Sequence, residues 1–234
     1  MSKPFQFKEF CIEQDRCAMK IGTDGVLLGA WTKPNNVFSI LDIGTGTGLI
    51  ALMLAQKSQS ETIDALEIDE DAYEQAVGNF ENSPWADRLF CYHASLLEFA
   101  KEIDQQYDLI VSNPPFYADT YHSTDPKRNK ARFVSSLPFD HLFACVAKLL
   151  SPEGYFTMIA PFKEEENLLQ TAKNYNLYPQ QICRVKGNQD SAVIRSLFKF
   201  SRHKKEVRLE NLTLEIERHK RTPAYDKLVQ DFYL

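Results

Sequence analysis

The chain has 234 residues, 44% hydrophobic and 25% charged, enough for one α/β domain with a large core and modest additions. Its net charge of −5 is unevenly spread: residues 1–120 hold 8 Lys+Arg against 19 Asp+Glu and residues 121–234 hold 19 against 13, which restricts any polyanion footprint to the back half. No run of about 18 apolar residues suggests a membrane span, residues 1–9 lack the apolar stretch of a secretory signal, and the scattered cysteines and histidines offer neither a disulfide framework nor metal-ligand spacing, so a reducing cytoplasm is expected.

Residues 5–14 alternate loosely between apolar and polar, which suits a strand near a hairpin. A short helix is predicted to open at Thr23, with Thr23 as N-cap, Asp24 in the first turn and Val26, Leu27, Leu28, Ala30 and Trp31 behind. Strands are expected at 37–42, 62–67, 89–93 and 107–112, separated by helices at 49–57 and 71–82. A helix at 139–150 and a strand at 154–160 continue the rhythm. Such alternation specifies βαβ units and a mostly parallel sheet covered on both faces. In the tail, 180–185, 192–200 and 207–217 read as three strands with little helix between the last two, so an antiparallel edge is expected, closed by a helix at 225–233. Residues 113–138 break the rhythm with a long polar, basic connection, and loops of that length are usually functional. No repeat or linker divides the chain. It reads as a single domain, 1–234, with a hairpin and helix extension over about 1–34.

Asp42-Ile43-Gly44-Thr45-Gly46-Thr47-Gly48 lies between the first α/β strand and its helix, where the carboxyl ends of a doubly wound sheet open a ligand crevice. Glycines permit a sharp turn and close approach of a ligand. Glu67, 19 residues past Gly48, ends the next strand and can accept both hydroxyl hydrogens of a ribose, with the adenine stacked on Ile68. The G-x-G-x-G spacing and the carboxylate of Asp42 favour the cationic S-adenosylmethionine over a pyrophosphate dinucleotide, which Asp42 would repel. Ser95 and Leu96 follow the next strand where the adenine ring would be covered, although many similar folds carry Asp or Asn in place of Ser95.

Asn113-Pro114-Pro115-Phe116 directly follows the 107–112 strand and is the most specific signal in the chain. An exocyclic amino nitrogen is a poor nucleophile because its lone pair is delocalised into the ring. The Asn113 side-chain oxygen and the Pro114 carbonyl can each accept one of its N–H groups, localising the lone pair towards a sulfonium methyl, and the prolines fix the carbonyl's direction. Phe116 offers a face on which an extruded base can stack. No cysteine lies near the motif for covalent attack on a pyrimidine.

The run from Met19 to Trp31, the segment Leu41–Gly48, Asn82-Ser83-Pro84-Trp85-Ala86, Asn113–Phe116 and the terminal Asp231–Leu234 together resemble the bacterial tRNA(Val)-specific adenine-N(6) methyltransferases, over nearly the whole chain. The resemblance implies a class I methyltransferase fold, a doubly wound, mostly parallel seven-stranded sheet, with S-adenosylmethionine as donor. It implies that Asp42, Gly44, Gly46, Gly48 and Glu67 line the donor, that Lys20, Thr23 and Asp24 lie in the segment covering it from the N-terminal side, and that Asn113–Phe116 hold an adenine beside the anticodon. Phe116 stands where that family often has Tyr, and Phe there also occurs in relatives that methylate a guanine amino group of ribosomal RNA. Guanine, or a protein glutamine amide, is therefore the alternative acceptor. RNA is further suggested by Lys127, Arg128, Lys130 and Arg132 after the motif, by Arg202, His203, Lys204 and Lys205 in the tail, and by Tyr117 and Tyr121 as stacking platforms. Neither a metal nor a membrane partner is expected.

Overall fold

The computed structural model describes residues 3–115 and 137–234. Phe116, Tyr117, Tyr121, Lys127, Arg128, Lys130 and Arg132 lie outside the described residues. A hairpin of β1 (Phe5–Gln6) and β2 (Cys11–Ile12) precedes α1 (Thr23–Trp31). The alternating part runs β3 (Ser39–Ile43), α2 (Leu49–Lys57), β4 (Thr62–Glu67), α3 (Glu70–Glu81), β5 (Leu89–His93), α4 (Leu96–Glu102) and β6 (Tyr107–Ser112). After residue 137 come α5 (Phe139–Leu149), β7 (Leu150–Pro161), a 3-10 turn, α6 (Glu165–Asn174), β8 (Tyr178–Lys186), β9 (Val193–Ser201) and β10 (Arg208–Thr213). A small hairpin, β11 (Glu215–Glu217) and β12 (Lys220–Arg221), leads to α7 (Pro223–Val229).

The main sheet has the order β10-β8-β9-β7-β6-β3-β4-β5. β3 sits between β4 and β6, both parallel to it, so successive crossovers leave in opposite directions and a crevice opens at the carboxyl ends of β3 and β6. The middle strands are apolar because helices cover both faces: Ile40, Leu41, Leu109, Ile110 and Val111 are fully buried, and α2 is buried from Leu49 to Ala55.

Among the described residues the sheet has eight strands rather than seven, and its antiparallel strand, β9, lies inside the C-terminal edge rather than at it. β8 and β9 are joined by the turn at 187–192, and strands joined so tightly must run antiparallel. β9 therefore slots between β7 and β8, while β10 adds outside β8 in parallel register from Arg208↔Gln181 to Thr213↔Lys186. Two helices were not anticipated. α4 is announced by its capping box, in which Glu98 N donates to Ser95 Oγ at 3.2 Å and the Glu98 carboxylate accepts from Ser95 N. α6 makes the crossover between the parallel strands β7 and β8. Thr23 is not an N-cap: it is already helical, and Gly22 holds the cap position without a side-chain bond.

Candidate active site

In the turn after β3, Gly44, Gly46 and Gly48 have φ of +72°, +58° and +82°, a region that side chains disfavour. Gly44 and Thr45 donate their N–H groups to the Leu66 carbonyl at 2.9 and 3.0 Å, fastening the turn to β4. A Cβ on Gly44 or Gly46 would meet no protein atom within 4 Å, whereas one on Gly48 would lie 2.5 Å from Phe80 Cε1. Gly44 and Gly46 thus keep a cavity wall clear. Gly48 does not line that cavity; it lets Phe80 of α3 pack against the start of α2.

Glu67 ends β4 and folds back on the turn. Its Oε2 accepts from Gly46 N at 2.8 Å, and its Oε1 accepts from Ile68 N at 2.8 Å and Asp69 N at 3.0 Å. The cavity beside these groups measures about 710 Å³. Gly44, Gly46, Glu67, Ile68, Ser95 and Leu96 lie on one part of its wall, and Asn113, Pro114 and Pro115 on another. Ser112 Oγ donates to the Ile43 carbonyl at 2.9 Å, which ties the end of β6 to the strand carrying the glycine turn. The first turn of α1 abuts the same place, since a Cβ on Gly25 would lie 4.0 Å from Asn113 Nδ2.

Asp42 is fully buried beneath the turn and does not reach the cavity wall. Thr45 Oγ1 donates to its Oδ2 at 2.6 Å, while Oδ1 has no hydrogen-bond partner among the described residues. Burial pushes this carboxyl up to about 7, against the opposing effect of the Thr45 hydrogen bond. Direct contact between Asp42 and a ligand in the cavity is therefore not what this arrangement provides; its charge acts from below. Ser95 borders the cavity, but its hydroxyl is engaged in the capping box, donating to Glu98 Oε2 at 2.6 Å.

The N-terminal residues on the cavity wall are not the ones expected there. Lys20 and Thr23 are exposed, Asp24 accepts from Arg195 Nε at 2.8 Å, and none of the three lines the cavity. Cys17, Ala18 and Met19 do. They are held there by two buried amides of α3, four residues apart: Asn79 bonds both the N–H and the carbonyl of Glu13 at 2.9 Å and the Thr47 carbonyl at 2.8 Å, and Gln75 Oε1 accepts from Arg16 N at 3.1 Å. Two polar residues on the apolar side of a helix are a legible signal of such a clamp. His141, at the start of α5, lines the cavity with Leu137 and Pro138, although no motif around it marks it in the sequence. The Cys17 thiol is pushed up to about 12 by burial and by the charges of Glu67, Asp69, Asp15 and Asp71, so it is held as the unreactive thiol.

The tail cluster stands elsewhere. β9 runs opposite to its neighbours, so Arg202 to Lys205 emerge at the amino ends of the parallel strands, across the sheet from Asn113. Arg202 donates to the carbonyls of Ala147 and Leu150, at 2.5 and 2.9 Å, closing the end of α5. Lys204 Nζ lies 4.8 Å over the Tyr178 ring, and Lys205 is exposed. These residues do not line the cavity that Asn113 borders. Among the described residues, no helix is long and apolar enough to cross a membrane and no group of His, Cys, Asp or Glu is arranged to hold a metal.

Residues 21–171 match the family model of the methyltransferase small domain. The chain is 56% identical over 236 aligned positions to the tRNA1(Val) (adenine(37)-N6)-methyltransferase of Christiangramia forsetii, covering 100% of this chain and 98% of that one. It is 42% identical to the enzyme of the same name from Pectobacterium carotovorum, covering 98% and 93%. Among solved structures, a predicted O-methyltransferase from Agrobacterium tumefaciens superposes with a TM-score of 0.69 at 16% identity, covering 89% of this chain and 96% of that one, a likeness of fold. With the glycine turn, Glu67 and Asn113 gathered round one cavity, and with relatives matched end to end, this chain belongs to the methyltransferase small domain family and, within it, to the tRNA1(Val) (adenine(37)-N6)-methyltransferases.

Proposed function

We propose that the protein methylates the N6 amino group of adenine 37 in tRNA1(Val), using S-adenosylmethionine, in the cytoplasm. The observation that carries this reading is the shared cavity. Asn113 and Pro114 line the same cavity as Gly44, Gly46 and Glu67, so an acceptor amino group and a donor fit side by side.

The residues suit that donor. Gly44 and Gly46 leave a cradle that any Cβ would fill, and Glu67 is placed for a ribose once it exchanges backbone N–H partners for hydroxyls. Ile68, 41% exposed, offers an apolar surface for the adenine in the cavity that Ser95 and Leu96 also line. The carboxylates of Glu67, Asp69, Asp15 and Asp71, which act together on Cys17, make the mouth negative. That field, with Asp42 below, favours a sulfonium and an ammonium and opposes a pyrophosphate. When bound, the donor supplies an electrophilic methyl group. Asn113 Oδ1 and the Pro114 carbonyl accept the two amino hydrogens of the base and turn its lone pair out of conjugation. Walls of Cys17–Met19 and Leu137–Pro138 keep water from the donor. The chain acts as one catalytic unit in which residues 1–34 form the extension over the donor. Phe116 is the stacking face for the base, and Tyr117, Lys127, Arg128, Lys130 and Arg132 are RNA contacts.

The test is transfer from radiolabelled S-adenosylmethionine to total RNA of a strain lacking the enzyme, followed by nucleoside digestion. Label in N6-methyladenosine from the tRNA fraction is expected. Label in methylguanosine from ribosomal RNA, or in no RNA, would overturn the proposed acceptor.

A further inference from the structure

A second cavity, about 140 Å³, lies on the sheet face near the C-terminal end of α1. α1 is nine residues long, so the two ends of this helix are about 13 Å apart, with its first turn at Asn113 and its last at the second cavity. Thr157, Lys199 and Gln181 are register partners on β7, β9 and β8 and stand side by side on that face. Thr32, Lys33 and Asn35, which follow α1, complete the rim.

Lys199 is the unusual member. Its ammonium lies 3.7 Å over the Tyr155 ring, and among the described residues it has no carboxylate partner. The ring attracts the charge but supplies only one face to a group with three N–H donors. Lys199 is partly buried, and the charges acting on it are those of Lys205 and Lys33, both positive; burial first and these cations second lower its pKa. The neighbouring carboxylate is already used: Glu210 accepts from Gln181 Nε2 at 2.7 Å and from Arg208 at 2.7 Å. A partly desolvated cation among other cations, facing a polar hollow, is stabilised by an anion. The hollow is well below the about 300–1,000 Å³ of small-molecule pockets and suits a single tetrahedral oxyanion.

We propose that this cavity is a phosphate-binding site with Lys199 and Lys33 as its cationic ligands, separate from the cavity that Asn113 lines. The phosphate group belongs either to an RNA backbone or to free inorganic phosphate. The site does not depend on which base is methylated.

The test uses the full chain, wild type, Lys199→Gln and Lys199→Arg, with donor binding and a thermal melt confirming that each variant is folded. Inorganic phosphate is titrated by calorimetry, and tRNA binding is measured across a salt series. The variant Lys199→Gln is expected to weaken phosphate about tenfold, with Lys199→Arg restoring most of it, because the bond is charge-assisted. If an RNA phosphate occupies the site, the slope of log affinity against log salt also falls by about 1 in Lys199→Gln. Loss of phosphate binding with an unchanged slope identifies the free ion as the ligand. Phosphate affinity and salt slope both unaffected by Lys199→Gln overturn the proposal.

Discussion

Asp42 is a carboxylate that the folded chain holds at a cost, and replacing it with Asn exposes that cost. Burial lifts its pKa from 3.8 to about 7. At about 1.4 kcal/mol per pH unit, keeping it ionised above pH 7 costs the folded state about 4 kcal/mol. Between these two values the folded protein binds a proton that the unfolded chain has released, so stability falls as pH rises through the window from 3.8 to 7 and is flat above it. Integrating over pH 5 to 8 gives a loss of about 2–3 kcal/mol attributable to this group. Asn keeps an acceptor for Thr45 Oγ1 but places an unpaired N–H where Oδ1 now lies, a constant penalty of about 1–3 kcal/mol at any pH. The variant should therefore gain on the wild type as pH rises. For a chain of this length the gain between pH 5 and pH 8 corresponds to about 5–10 °C in Tm. Thermal melts of both proteins without ligand, at half-unit pH intervals, measure it directly. The same variant should bind S-adenosylmethionine more weakly, since the negative charge below the turn is lost. A Tm difference that stays constant from pH 5 to pH 8, or moves in favour of the wild type, would refute the burial argument.

Asn113→Ala should abolish methyl transfer while leaving the donor dissociation constant within about threefold, because its partner is the acceptor amino group; donor calorimetry beside single-turnover transfer separates the two. Gly48→Ala forces a side chain to a φ of +82° and a Cβ to 2.5 Å from Phe80, and should cost at least about 2–4 kcal/mol in urea unfolding. Gly44→Ala shares the backbone strain but meets no protein atom, so it should cost only about 1–2 kcal/mol and act mainly on donor affinity. Lys57→Met removes an ammonium that binds the carbonyls of Gly29, Ala30 and Thr32 at the end of α1, and a loss of about 2–3 kcal/mol is expected by the same assay. Arg195→Met frees Asp24 and loosens the first turn of α1 beside Asn113; kcat should fall while donor affinity holds, as stopped-flow transfer and equilibrium binding would show.

Relatives of this chain carry the same name across 42–56% identity, and the motifs that line the main cavity are short stretches of sequence. Gly44-x-Gly46-x-Gly48, the acid ending the next strand and Asn113-Pro114-Pro115 were legible because strand-end positions in a parallel sheet are set by the βαβ rhythm alone. The same rhythm gave the buried strands and α2, where both faces are covered and the apolar run is continuous. Tertiary structure decided what needs neighbours distant in the chain. Asp42 sits beside the glycines in sequence but below them in space, because the turn rises over it. Cys17–Met19 rather than Lys20, Thr23 and Asp24 line the cavity because Gln75 and Asn79, some sixty residues on, grip the backbone of residues 13–16. Arg202 to Lys205 are one string of cations in sequence, yet the reversed direction of β9 places them at the far end of the sheet from Asn113 and makes Arg202 a helix cap. Charge and motif reside in the sequence; which side of the sheet they face depends on strand direction and on side chains that meet only after the chain has folded.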